Sequence, residues 1–200
     1  MDFSPENVYH IYNQGNNHQK IFSCDEEYEI FLNLIRANIS GHCEIINWCL
    51  MPNHFHFMVY TDERVLNLKK QGGLEIDVLT NGIRKLLSGY ARIYNSRNGA
   101  SGSLFRQKTK SKCLSHTNFL IKPKQYNDSY FNCFHYIHQN PFVAGLVKKM
   151  EDWTFSSFRD YAGLRNGTLC NKSLAIKFCS YEPATFIKTS YQIIDDIDFL

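Results

Sequence analysis

In "CLMPNHFHFMVY", residues 49–60, two imidazoles stand two positions apart inside an apolar run, His54 and His56. On a β-strand, side chains two apart share a face, so both rings would point one way, away from the core, while Phe55, Phe57 and Val59 face the core on the other side. Two neutral imidazoles side by side are a natural pair of ligands for a divalent cation. The plain alternative is a pair of sheet-face histidines that bind nothing. A zinc site completed by Cys43 or Cys49 has no supporting spacing.

A second constellation lies in "FHYIHQNPFVAGLV", where Tyr136 and Asn140 stand at i and i+4 and would project from one helix face. A tyrosine hydroxyl, with an ordinary pKa of about 10, is a feeble nucleophile at neutral pH. It becomes useful when a metal polarises its electrophile and the hydroxyl is held in line. Asn140 offers a carbonyl oxygen, the hard ligand that Mg²⁺ or Mn²⁺ takes beside imidazoles. The alternative is that Tyr136 packs in the core and Asn140 caps a helix stopped by Pro141. His135 and His138 fall on other faces of that helix and read as surface or packing residues.

A third feature suggests a substrate. In "FRQKTKSKC", Arg106, Lys108, Lys110 and Lys112 alternate with neutral residues, which on a strand puts four cations on one face, able to follow a phosphate backbone. Arg84, Lys85 and Arg92 of a preceding helix could extend the stripe. A lysine-rich edge strand protected against aggregation is the alternative.

These residues need elements to hold them. "NVYHIYNQG" (7–15) alternates and ends at a glycine, a strand signal. "CDEEYEIFLNLIRANIS" has acids in its first turn and an apolar stripe of Tyr28, Phe31, Leu32, Ile35 and Ile39, an amphipathic helix. Residues 43–50 and 54–60 read as a hairpin across Met51-Pro52-Asn53, residues 81–99 as a helix ending at Gly99, and residues 104–114 as a further strand. Residues 127–141 complete the order βα–ββ–α–β–α, which predicts an α+β sandwich with helices packed on a central antiparallel sheet. Residues 62–80 and 162–200 carry little legible pattern.

Two hundred residues suit one domain with a small appendage, here 1–160 for the main body and 161–200 for a C-terminal extension packed on it. The net charge of +3 makes any nucleic-acid surface local rather than global. No apolar run has the length of a membrane span, and "MDFSPENVYH" lacks the regions of a signal peptide. Seven cysteines without metal-type spacing fit reduced thiols in a cytoplasm.

Five segments together resemble the HUH single-tyrosine transposases, in particular the REP-associated tyrosine transposase branch of the insertion-sequence-200-like family. They are "VYHIYNQGNN", "LMPNHFHFMV" with its His-hydrophobe-His signature, "GSLFRQKTKSK", "YIHQNPFVAGLV" and "WTFSS", in the family's order over residues 7–158. The resemblance implies an RRM-like or ferredoxin-like palm. It also implies cleavage of single-stranded DNA, folded into a hairpin, through a 5′-phosphotyrosyl intermediate with Mg²⁺ or Mn²⁺. Carried over by position, His54 and His56 are metal ligands, Asn140 is the third ligand and Tyr136 the nucleophile. Arg106, Lys108, Lys110, Lys112, Arg84 and Lys85 are the candidate DNA contacts. Such a protein would be a nucleoid-associated monomer or homodimer away from membranes. Where members often have Asn-Arg-Gly this chain has Asn13-Gln14-Gly15, and Val143 stands where many have arginine. Both changes remove a cation and bear on DNA contacts rather than on the chemistry. Two other readings remain: a catalytically silent DNA-binding module for hairpin repeats, and a metal hydrolase that activates water instead of Tyr136.

Overall fold

The computed structural model describes residues 1–115 and 124–192. Four antiparallel strands form the central sheet: β1 (Asn7–Gln14), β2 (Glu44–Met51), β3 (His54–Thr61) and β6 (Lys110–Cys113). Helix α1 (Asp25–Asn38) links β1 to β2, and α2 (Val78–Asn98) leads from β3 toward β6. The strand order β2-β3-β1-β6 makes this two interleaved β–α–β units, the ferredoxin-like arrangement expected from the resemblance. Between β3 and α2 lies a small separate hairpin, β4 (Leu68–Gln71) and β5 (Leu74–Asp77), in the stretch where the sequence was least legible.

The alternation in β1 and β3 divides the sheet into two faces. Tyr9, Ile11, Phe55, Phe57 and Val59 meet Trp48 and Leu50 of β2 on one side, covered by Phe31 and Ile35 of α1 and Ile83, Leu86 and Tyr90 of α2. The other face is covered too, by α3 (Lys124–Val143) and the segments that follow it. There Ile46, Cys49, Met51 and Met58 pack against Cys133, Phe134 and Ile137 of α3. Helix α4 (Phe158–Tyr161), α5 (Lys172–Cys179) and α6 (Phe186–Ser190) complete this second core through Phe158, Tyr161, Ala175, Cys179 and Phe186. Residues 193–200 of the C-terminal extension lie outside the described residues. The "WTFSS" segment lies along the outer edge of β2, where the Leu50 amide donates to the Phe155 carbonyl and the Ser157 amide to that of Trp48.

Two expectations need correction. Only residues 110–113 of the stretch 104–114 form a strand, with a lone bridge from Phe105 to Gly15. The Asn13 amide donates to the Arg106 carbonyl and the Thr109 hydroxyl, the Arg106 amide keeps a backbone bond to the Gln14 carbonyl, and Arg106 and Lys108 sit in irregular backbone. Nor does α3 stop before Pro141. It runs two residues further to Val143 and then closes, with Ala144 and Leu146 amides donating to the Asn140 and Pro141 carbonyls and Gly145 in a left-handed turn. A proline interrupts a helix through the bond its nitrogen cannot make, and one missing bond is tolerated in a helix that packing holds.

Buried polar groups fix the rotation of α3. The Asn47 amide, beside a β-bulge, donates to the Phe134 carbonyl; His138 pairs with Ser157; Gln139 donates to the Ser190 and Gln192 carbonyls; His135 pairs with Ser190. His135 and His138 are therefore packing residues, 3% and 1% exposed. Burial lowers the His135 imidazole to about 4, whereas an unfolded imidazole titrates near 6.5. As the pH falls below the unfolded value, the unfolded chain takes up a proton that the folded one refuses, so stability is lost between the two values. From neutral pH to pH 5, this residue alone should cost about 2 kcal/mol. Urea denaturation at the two pH values tests it: His135→Leu should lose less stability on acidification than wild type, and an equal loss would assign the acid sensitivity elsewhere.

Candidate active site between strand β3 and helix α3

The hairpin turn that precedes the histidines is held from outside. Ile21 and Phe22 amides donate to the Pro52 carbonyl, and the Gly15 amide to that of Asn53. Gly15 permits this close return of the chain, because a β-carbon there would run into the Gln19 carbonyl oxygen. On β3 the two histidines do point the same way, toward α3, with Tyr12 beside His56 and Gln14 beside His54 on β1.

Their environments differ. His54 is partly exposed and its Nδ1 lies 2.6 Å from Asn53 Oδ1. With Asn53 accepting, His54 carries its proton on Nδ1 and keeps Nε2 for a ligand. His56 is 1% exposed, and its Nδ1 lies 2.8 Å from Nε2 of His10 on β1. The expectation that both imidazoles face away from the core holds for His54 and fails for His56, because α3 covers this face as well. Burial keeps both rings below the ordinary imidazole range; for His56 the neighbouring His10 and His54 add to the effect. Both are thus neutral at pH 7, the form that binds a cation.

Tyr136 comes down on this pair from α3. Its ring meets His56 edge-on, centroids 5.7 Å apart, and His10 at 6.2 Å. Asn140 follows one turn later; its amide nitrogen donates to the Tyr136 carbonyl at 2.8 Å, and its side chain also reaches the His54 imidazole and the Tyr136 hydroxyl. Burial pushes the Tyr136 hydroxyl up to about 12, partly offset by Asn140. The four residues expected to act together do meet, and Asn140 links His54 to Tyr136.

A cleft of about 350 Å³ opens beside them, lined by Tyr12, Asn13, Gln14, His54, His56, Arg106, Lys108 and Lys110. Three of the expected cations therefore stand on its rim despite the broken strand. Arg106, Lys108 and Lys110 also border a second groove of about 810 Å³ toward α2, where Arg84 and Lys85 lie on the opposite bank. The irregular segment 106–109 is thus a basic ridge shared by cleft and groove. Lys112, whose neighbour across the ladder is His10, lines neither, and Arg92 lies outside the groove.

The fit of a divalent cation can be judged from the donors. His56 Nε2 is buried with no hydrogen-bond partner among the described residues, an uncommon state for a polar atom. A lone pair offered to a cation would account for it. Among the described residues, His, Cys, Asp and Glu form no group of three suited to a metal, and Asn140, whose side chain reaches His54, is a candidate for a third protein ligand. The set of two imidazoles and an amide suits Mg²⁺ or Mn²⁺ completed by phosphate and water oxygens.

Sequence reasoning missed His10, Tyr12, Gln14 and Asn53. His10 and Tyr12 are two apart in "VYHIY", which places them on one strand face, but nothing local says which strand lies alongside. Tyr12 stacks on His10 and His56, with centroids 4.8 and 5.8 Å away, and itself lines the cleft. At the mouth, His18 lies between Gln14 and Arg106, 2.8 and 3.2 Å from them.

The sequence matches no protein-family model and no curated protein. The fold is similar to that of a solved REP-associated tyrosine transposase bound to a REP hairpin, with a TM-score of 0.54, 18% identity, and coverage of 86% of this chain and 92% of that one. At that identity the likeness bears on the fold. Among the described residues no helix is long and apolar enough to cross a membrane, and the seven cysteines are all unpaired.

Proposed function

We propose that this chain is a metal-dependent transesterase that cuts and rejoins single-stranded DNA through a tyrosine, as a transposase does. The observation that carries the reading is the meeting of Tyr136 with the His54–His56 pair, joined by Asn140, at a cleft rimmed by Arg106, Lys108 and Lys110. The similar solved structure is a transposase with a bound hairpin, which supports a hairpin-forming DNA strand as partner.

His54, His56 and Asn140 would hold Mg²⁺ or Mn²⁺, which supplies Lewis-acid polarisation of the scissile phosphate. The cations of the ridge bind the flanking phosphates and draw the strand into the cleft. Tyr136 attacks in line: the bond from its oxygen to phosphorus forms, the bond from phosphorus to the 3′ oxygen breaks, the phenolic proton goes to solvent, and the leaving oxygen takes up a proton. The chain then holds the 5′ end as a phosphotyrosine. Attack by another 3′-hydroxyl reverses the step and joins strands, since one phosphodiester replaces another.

The experiment is incubation with hairpin-bearing single-stranded DNA and Mn²⁺, followed by a denaturing gel. A covalent protein–DNA adduct is the expected result. Cut DNA without an adduct would favour a water-activating hydrolase, and binding without a cut would favour a silent DNA-binding module. The basic ridge has its own test. Replacing Arg106, Lys108 and Lys110 with Gln should lower the slope of log affinity against log salt by about 2 in all, roughly 0.7 for each lost contact to a single strand. An unchanged slope would make the ridge an ordinary solvated surface.

A further inference from the structure

His10, the neighbour of His56, lies outside the set of residues just assigned roles. We infer that His10 is a positioning residue: it accepts a hydrogen bond from His56 Nδ1–H and so fixes the tautomer in which His56 Nε2 presents a lone pair to the cation. The inference rests on the reading of the site as a metal centre.

The geometry leaves two arrangements. His10 Nε2 and His56 Nδ1 are 2.8 Å apart with rings inclined by 19°, so one nitrogen carries the shared proton and the other accepts it. If His10 donated, the proton of neutral His56 would sit on Nε2; if His56 donates, the proton of neutral His10 sits on Nδ1, and both of those ring nitrogens are buried. Burial therefore does not choose between the two arrangements, and the metal reading does: only donation by His56 leaves its Nε2 a lone pair that a cation can use. Ligating histidines commonly give their second N–H to an outer partner, and that partner fixes ring orientation and ligand basicity. Here the partner is a second imidazole, brought alongside by the β1–β3 register and covered by α3. The rings are 0% and 1% exposed, so water does not compete for the shared proton.

Long-range ¹H–¹⁵N correlation spectra of histidine-labelled, metal-free protein read the tautomer directly, and Mn²⁺ titration followed by electron paramagnetic resonance reads the affinity. In wild type His56 should be the Nδ1–H tautomer. In His10→Phe, which removes the acceptor, it should revert to Nε2–H, and Mn²⁺ affinity should fall by roughly 10- to 100-fold. His10→Gln, whose carbonyl oxygen can accept the same proton, should keep the wild-type tautomer and recover most of the affinity. A role confined to packing would leave the tautomer unmoved. His56 found as Nε2–H in wild type overturns the inference even if His10→Phe fails to fold. Mn²⁺ binding with an unchanged tautomer in a folded His10→Phe overturns it alone, whereas no Mn²⁺ binding by wild type overturns the metal reading and this inference with it.

Discussion

Tyr136→Phe is expected to abolish both the cut strand and the covalent adduct while leaving DNA and Mn²⁺ binding close to wild type. The substitution removes one hydroxyl and keeps the ring that lies edge-on to His56 and His10. Removing a covalent nucleophile from an enzyme that works through one costs more than about 10⁴-fold in rate. Because burial holds this hydroxyl protonated, at about 12, it must lose its proton as it attacks, and no background of free phenolate exists near pH 7. The structure adds a control that the sequence did not call for. Tyr12 lines the cleft and, like Tyr136, lies against the His56 ring, so Tyr12→Phe belongs beside Tyr136→Phe. Tyr12→Phe should still form the adduct. Adduct formation that survives Tyr136→Phe and disappears in Tyr12→Phe would transfer the nucleophile's role to β1. Cut DNA without an adduct in both variants would leave the water-activating reading.

The second large effect is expected at the imidazoles. His54→Ala should reduce Mn²⁺-dependent cleavage by at least about 10²-fold, since the several kcal/mol that a Lewis acid gives the transition state would go with the ligand. His54 is partly exposed, so its loss should hardly move the melting temperature. His56 needs different handling. It is buried under α3 and bonded to His10, and truncation to alanine would leave a cavity and remove the His10 hydrogen bond, a stability cost on the order of 2 kcal/mol. His56→Asn fills more of the space, and its thermal unfolding separates lost chemistry from lost fold. Asn140→Ala should be milder, because water can fill the vacated position, and extra Mn²⁺ should recover part of the rate. Normal Mn²⁺-dependent cleavage by His54→Ala with His56→Asn would end the assignment of these imidazoles as the metal's ligands.

Much of this was legible locally. The alternation of "HFHFMVY" assigned His54 and His56 to one face and Phe55, Phe57 and Val59 to the other, because the two-residue period of a strand leaves no choice. The spacing of Tyr136 and Asn140 made them neighbours on a helix, again by period alone. The order of elements gave an α+β sheet with helices, which is the architecture observed.

The rest depended on contacts between distant segments. No local pattern could place β1 next to β3, so the His10–His56 bond and the stacked Tyr12 were invisible until the register was known. The basic stripe read as one strand because alternation is blind to competitors. Asn13, more than ninety residues away, bonds the Arg106 carbonyl and the Thr109 hydroxyl where the ladder is interrupted, yet Arg106, Lys108 and Lys110 still ring the cleft. Likewise a proline predicts a helix end only while local bonding decides, and in α3 the anchors to Asn47, Ser157 and Ser190 outweigh one missing bond. Period and composition thus determined which side chains share a face. Only the tertiary structure decided which faces meet, since burial, long-range hydrogen bonds and a neutral imidazole pair are properties of two segments at once.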